Sequence, residues 1–293
     1  MGTESGTEPP LSPLPAAAPL SGADLDALRH AKHQLETPPL GMKLAALIGA
    51  PIEKLIGKLP AMASDRVTDA TQAALRQCLR IALKTLGRNV GQAARAAGDG
   101  GGSGKPGNLL HKFAVATTGA AGGAFGLFAL PVELPVTTTL MFRSICDIAR
   151  SEGENLGSPE VQLQCLTVFA MGGRSAADDE AEYGYFIVRS ALANAVSKAS
   201  SELATKGFAA HGSTALLRLM QNVAARFSVQ VSEQVAAKSI PAIGAALGAM
   251  VNTVFMHHFQ QVAHGHFVVR RLERRYGEDA VKAAYQAIDV SLD

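Results

Sequence analysis

In the stretch FALPVELPVTTTLMFR, residues 128–143, Glu133 stands between Pro131 and Pro135 and is the only formally charged side chain from Phe113 to Phe142. A lone carboxylate in so apolar a run is costly unless it is paired, hydrogen-bonded or protonated. Asn252 makes the same demand in the uncharged stretch SIPAIGAALGAMVNTVF, because a buried amide must find partners. Each of the two follows a glycine-patterned segment, so they are expected to meet in one buried polar network, with Arg143 and Asp147 as further candidates. Such a network can serve structural registry or contact a ligand.

A second concentration of chemistry lies in NTVFMHHFQQVAHGHFVVRRLERRYGEDAV. His257 and His264 fall at i, i+7, with His258 and His266 beside them. Histidines grouped in this way can bind transition metals, and Asp178, Glu182 or Glu133 could complete a donor set for metal-dependent hydrolysis. No HExxH spacing fixes a geometry locally, so satisfied or exposed histidines are the expectation and no metal or cofactor is assigned. Nor is there a GxSxG, an SxxK or a recognisable cysteine signature, so catalysis is not expected. GDGGGSGKPGN looks like a phosphate loop but has Asp99 where the pattern needs Gly and Pro106 where it needs Ser or Thr, with no preceding strand. It reads as a flexible linker.

Two basic faces could meet a partner. In LGMKLAALIGAPIEKLIGKL, Leu44, Ile48, Ile52, Leu55 and Leu59 share one helical face, while Lys43, Lys54 and Lys58 cluster within about 60° on another. Pro51 should kink the run. The segment is either a surface helix packed on the core or a basic amphipathic helix on an anionic membrane. Arg270, Arg271, Arg274 and Arg275 form the second face. Near an anionic leaflet each could contribute ~1 kcal/mol; a helix face laced to nearby acids is the alternative.

The elements that must position these groups are helices. The 293 residues are 47% hydrophobic but only 5% aromatic, with 29 Gly and no Trp, a mixture suited to close-packed helices rather than sheets. A mean hydropathy of +0.14 is greasy for a cytosolic protein, short of a polytopic one. The net charge of +2 gives no field for nucleic acid, and three cysteines without CxxC spacing fit a reducing cytoplasm. The opening twenty residues lack the basic and apolar regions of a signal peptide, and Gly6 stands where myristoylation needs Ser or Thr. They read as a disordered tail.

Helices are expected over 23–36, over 64–97 with Ser64 or Asp65 as N-cap, after Pro135 to about Gly153, over 159–172, over 176–206 with Ser175 as N-cap, over 212–238 and over 239–275. No alternating strand appears. Overlapping GxxxG pairs mark Gly119/Gly123 and Gly122/Gly126, and Gly244 and Gly248 repeat the spacing, which lets helix backbones approach closely. The uncharged, proline-free run Phe113–Leu130 falls just short of a membrane span and reads as a buried or hairpin-like helix. Shifted by 124 residues, DIARSEGENL lies against RLERRYGEDA and matches Arg150 with Arg274, Gly153 with Gly277 and Glu154 with Glu278. A duplicated helical hairpin about a pseudo-two-fold axis would explain the echo; chance similarity between helices is the alternative. The expected architecture is an all-α bundle with two Gly/Ala-rich helices at its centre. It divides into a tail over 1–37 with a short helix, an amphipathic region over 38–99, a linker over 100–107 and a helical domain over 108–293.

GAAGGAFGLFALPVELPVTTTLMFRSICDIARSEGENL and SIPAIGAALGAMVNTVFMHHFQQVAHGHFVVRRLERRYG resemble two blocks of the EcsC-like family, over roughly residues 108–280. The matching positions are Pro131, Glu133, Pro135, Arg143, Gly153, Pro241, Gly244, Asn252, Arg271, Glu273 and Gly277. The family takes its name from a bacterial protein encoded beside an ABC transporter linked to secretion. The resemblance implies a helical, membrane-associated protein supporting transport, secretion or envelope function, and no catalytic residue. The expected setting is cytoplasmic, at the inner face of the plasma membrane, with an anionic membrane surface and a transporter subunit as partners. The four histidines stand outside the family pattern.

Overall fold

The computed structural model describes residues 20–36, 38–60, 62–95, 126–172, 184–206, 212–239 and 245–288. They form ten helices and no strand, so the fold is all-α: α1 (Gly22–Leu35), α2 (Leu40–Ile48), α3 (Ile52–Ile56), α4 (Met62–Arg95), α5 (Gly126–Ser151), α6 (Pro159–Met171), α7 (Gly184–Lys206), α8 (Thr214–Lys238), α9 (Ala245–Tyr276) and α10 (Glu278–Ala287). The opening tail, the 100–107 linker, residues 113–125, Ser175 and the Pro241–Gly244 stretch lie outside the described residues.

Local chemistry explains most boundaries. Ser21 Oγ accepts from the Asp24 N–H at 3.2 Å and caps α1, and Ser213 does the same for α8 through the Leu216 N–H at 3.2 Å. The amphipathic run breaks into α2 and α3 at Gly49–Pro51, as the proline requires. The helix expected over 64–97 starts two residues earlier, at Met62, which puts Ser64 and Asp65 inside the first turns rather than at the cap. The helix expected only after Pro135 starts at Gly126 and carries both Pro131 and Pro135 within it. The two prolines, four residues apart, withhold N–H groups along one face only, and the Thr137 hydroxyl donates to the Glu133 carbonyl at 2.9 Å. Gly153 (φ 81°) and Gly277 (φ 88°) turn the chain sharply after α5 and α9, in a left-handed conformation that costs glycine little.

The helix buried on all sides is α6, where every residue from Val161 to Ala170 is buried. Its Phe169 packs against Phe227 of α8 and Phe259 of α9 at ring-centroid separations of 4.8 and 5.4 Å, and Phe255 completes the cluster. A smaller apolar cluster joins α1 and α10 to the C-terminal half of α9 through Leu28, Val269, Leu272, Val281 and Tyr285. α1 crosses α9 at Gly265, where a Cβ would lie 2.6 Å from Leu35 Cγ and 2.9 Å from the Ala31 carbonyl oxygen. Buried Lys32 on α1 donates to the Tyr285 and Ile288 carbonyls at 3.0 and 2.6 Å, placing a cation on the C-terminal end of α10. α2 and α3 lie across α8, burying Leu40, Leu44 and Ile52. No helix among the described residues is long and apolar enough to cross a membrane.

Candidate functional site

Glu133 lies in the third turn of α5, and Lys238 is the last residue of α8, where a cation suits the helix dipole. The two meet with Lys238 Nζ 2.5 Å from Glu133 Oε1. Asn252 of α9 donates to the same oxygen at 3.2 Å, and Gln234 of α8 donates to Asn252 Oδ1 at 2.9 Å. The carboxylate is thus paired and hydrogen-bonded, and three helices are pinned at one end. The side chains of Glu133 and Lys238 remain 29% and 18% exposed, so the junction opens to solvent.

The structure brings Glu133 and Asn252 together and leaves Arg143 and Asp147 out. Ten and fourteen residues along the same helix correspond to ~15 and ~21 Å of axial rise, too far for a shared network. Both are exposed, and Asp147 pairs with Arg150 at 3.2 Å on the surface. Sequence reasoning missed Lys238 and Gln234. Lys238 could have been sought as the charge that ends α8 just before the second small-residue segment.

A second polar junction lies near the C-terminal ends of α5 and α9. The Glu154 side chain, 4% exposed, accepts from Arg270 Nε at 2.7 Å and also from Arg274. Arg270 reaches Glu160 at 3.3 Å, Arg271 pairs with Glu152 at 3.1 Å, and Arg275 pairs with Asp24 at 2.9 Å. Burial works against the charge of Arg270, but the bonds to and attraction of Glu154 and Glu160 together outweigh it, so its pKa is raised. All four arginines offered as a partner face are therefore engaged by acids of the same chain. Beside them Arg189 of α7 holds Glu273 through two bonds of 2.6 Å each.

The histidines divide into two kinds. His258 is buried, with Nε2 2.6 Å from the Gly172 carbonyl and Nδ1 3.3 Å from Lys43 Nζ. The carbonyl can only accept and the ammonium can only donate, so the proton belongs on Nε2. Burial holds this imidazole down to about 4. His266 is fully buried with Nδ1 2.9 Å from the Tyr185 hydroxyl; burial pushes that phenol up to about 12 and His266 well below its usual value. His257 and His264 are exposed, and His264 lies 3.9 Å from Glu152. Among the described residues no three His, Cys, Asp or Glu side chains assemble as metal donors, and Asp178 and Glu182 lie outside them. The groups that hydrogen-bond to the Glu133 carboxylate, Lys238 and Asn252, include no histidine.

Of the lysines, Lys43 turns inward and donates to Gln261 Oε1 at 2.9 Å, while Lys54 and Lys58 are exposed. On the same stretch of chain, Met42 of α2, Ile56 of α3 and Met62 at the start of α4 expose 63%, 37% and 56% of their surface. Elsewhere, a cleft of about 440 Å³ lies between α6, α7, α9 and α10, with Phe186, Leu192 and Val196 among its lining. Its guanidinium groups, Arg189 and Arg270, are already bound to Glu273 and to Glu154 and Glu160.

No curated protein and no solved structure shows significant similarity to the chain. One family model, described as the EcsC protein family, matches residues 23–272. The match takes in α1–α4 as well as most of the 108–280 stretch that carries the resemblance in sequence. With most of its length matched, the chain belongs to the EcsC protein family.

Proposed function

We propose that the protein is a membrane-peripheral helical accessory factor without catalysis of its own, supporting transport, secretion or envelope function from the inner face of the plasma membrane. The observation that carries this reading is the stretch from α2 to the start of α4, which exposes Lys54 and Lys58 together with Met42, Ile56 and Met62. Apolar side chains that enter the headgroup region, ringed by lysines that meet anionic lipid, are the chemistry of an interfacial helix. The arginines of α9 have no part in this reading, because their charge is taken up by Glu154, Glu152, Glu160 and Asp24. A transporter subunit at the same membrane would be the protein partner.

The test is co-sedimentation with vesicles of neutral lipid, with and without an anionic lipid. Binding should require the anionic component, fall with salt, and drop roughly 30-fold in Lys54→Gln/Lys58→Gln, given about 1 kcal/mol per lysine near such a surface. Absence of binding at low salt would overturn the reading.

A further inference from the structure

Beneath the α2–α3 layer lies a carboxylate that the contacts above do not use. Glu233 of α8 rests against the first turn of α2, whose N-cap, Pro39, supplies no side-chain bond. It accepts from the Gly41 N–H, and its Oε1 lies only 2.9 Å from where a Cβ on Gly41 would be. A carboxylate seated this closely on a helix N-terminus takes the place of the missing cap. Across the same interface stands a second acid, Glu53 of α3, which adds its repulsion. Two of the basic groups on these helices are committed elsewhere, Lys43 of α2 to His258 and Gln261 on α9, and Lys238, further along α8, to Glu133, while Lys54 and Lys58 beside Glu53 are exposed to solvent.

From this geometry we infer that Glu233 makes the docking of α2 and α3 on the bundle pH-dependent around neutrality, tightening it on acidification and loosening it on alkalinisation. Burial, and then the facing Glu53 carboxylate, push Glu233 up to about 7 from an ordinary value of 4.5. The docked layer therefore prefers the protonated form. A layer that has lifted off returns Glu233 to water and to its ordinary value. Ionisation weakens docking progressively from pH 4.5 upwards, and the loss is complete above about 7. The difference, 7 less 4.5, sets the limit at ~300-fold in the docking equilibrium. Between about pH 6 and pH 8 the change is ~10-fold.

His258 faces the same layer through Lys43 and titrates in the opposite sense, since its neutral form is the one that is buried. The wild-type profile alone would mix the two. The ratio of a Glu233 variant to the wild type cancels His258. The device rests on the packing of α2 and α3 and does not depend on the membrane reading.

The test is hydrogen exchange of the α2 amides, expressed as protection so that the intrinsic pH dependence drops out, in the wild type and in Glu233→Gln. The ratio of variant to wild-type protection should rise about tenfold from pH 6 to pH 8. Glu53→Gln, at an exposed position, keeps the fold and should move the wild-type midpoint to lower pH. A ratio constant with pH overturns the inference. So does a Glu53→Gln profile superimposable on the wild type, which would leave Glu233 without its facing charge.

Discussion

Glu154→Ala should be the most damaging single substitution among the ion pairs of the bundle. The Glu154 side chain is 4% exposed and accepts from Arg270 and Arg274, so its removal leaves two guanidinium groups without their shared carboxylate. Breaking a buried pair from one side typically costs ~3–5 kcal/mol. Here the lower end applies. Arg274 is 42% exposed and keeps its bond to the Glu152 carbonyl at 2.7 Å, so it can relax into water. Arg270 is only 14% exposed, and its remaining partner is Glu160, at 3.3 Å and 52% exposed. The expected loss is therefore ~3 kcal/mol, a fall in Tm of roughly 6–12 °C. Arg274→Ala should cost only about 1 kcal/mol, and Asp147→Ala, which breaks an exposed pair, less than that. Urea denaturation of the three variants, with the Glu154→Ala/Arg270→Ala double mutant to measure the coupling, checks the ranking. If Glu154→Ala falls within the range of Asp147→Ala, the junction is not a structural lock and the reasoning is refuted.

Lys32→Met removes the buried cation from the Tyr285 and Ile288 carbonyls; it should cost about 2 kcal/mol, read in urea, with protection from exchange lost first in α10. Gly265→Ala would push a methyl group into Leu35 and the Ala31 carbonyl, for a loss of about 1–3 kcal/mol and earlier proteolytic cleavage within α1. His258 is buried in its neutral form, so the stability it contributes is complete above pH 6.5 and is lost as pH falls from there through about 4. Urea midpoints at pH 7 and pH 4 should show up to ~3 kcal/mol of acid-induced loss that His258→Gln does not share.

The all-α class was legible because composition and helical periodicity act over whole segments. The meeting of Glu133 with Asn252 was legible because an uncharged run leaves a polar group few partners. What stayed hidden depended on distance along or between helices. Arg143 and Asp147 were plausible by type and lie on the same helix as Glu133, yet axial rise removes them. Lys238 was missed because nothing in the spacing announces that the end of α8 lies beside the start of α5. The arginines of α9 looked like a free basic face, since Glu152, Glu154, Glu160 and Asp24 come from distant segments that only folding brings together. The start of α5 was misplaced because each proline argues locally for a boundary, whereas surrounding packing can hold a helix that lacks two N–H groups.

The echo between 147–156 and 271–280 acquires a physical meaning from the contacts between α5 and α9. Glu133 meets Asn252, Ser144 meets Gln260, and Glu154 meets Arg270 and Arg274, at separations of 119, 116, 116 and 120 residues. A nearly constant separation means that the two helices run parallel. Both are followed by a glycine of positive φ, the matched Gly153 and Gly277. The echo itself, however, has a shift of 124 residues, so α9 has slid about 4–8 residues, or ~6–12 Å, from side-by-side correspondence. That slide decides the chemistry. It brings Arg270 and Arg274 level with Glu154, and it carries Glu278, the residue matched to Glu154 in the echo, beyond the end of α5. Arg150 turns to Asp147 on the surface, and Glu278 stands on the rim of the cleft between α6, α7, α9 and α10. One end of the helix pair is thus sealed by the α9 arginines and the other held by the Lys238–Glu133–Asn252 contact. Motion of α5 against α9 should therefore begin at the Glu133 end.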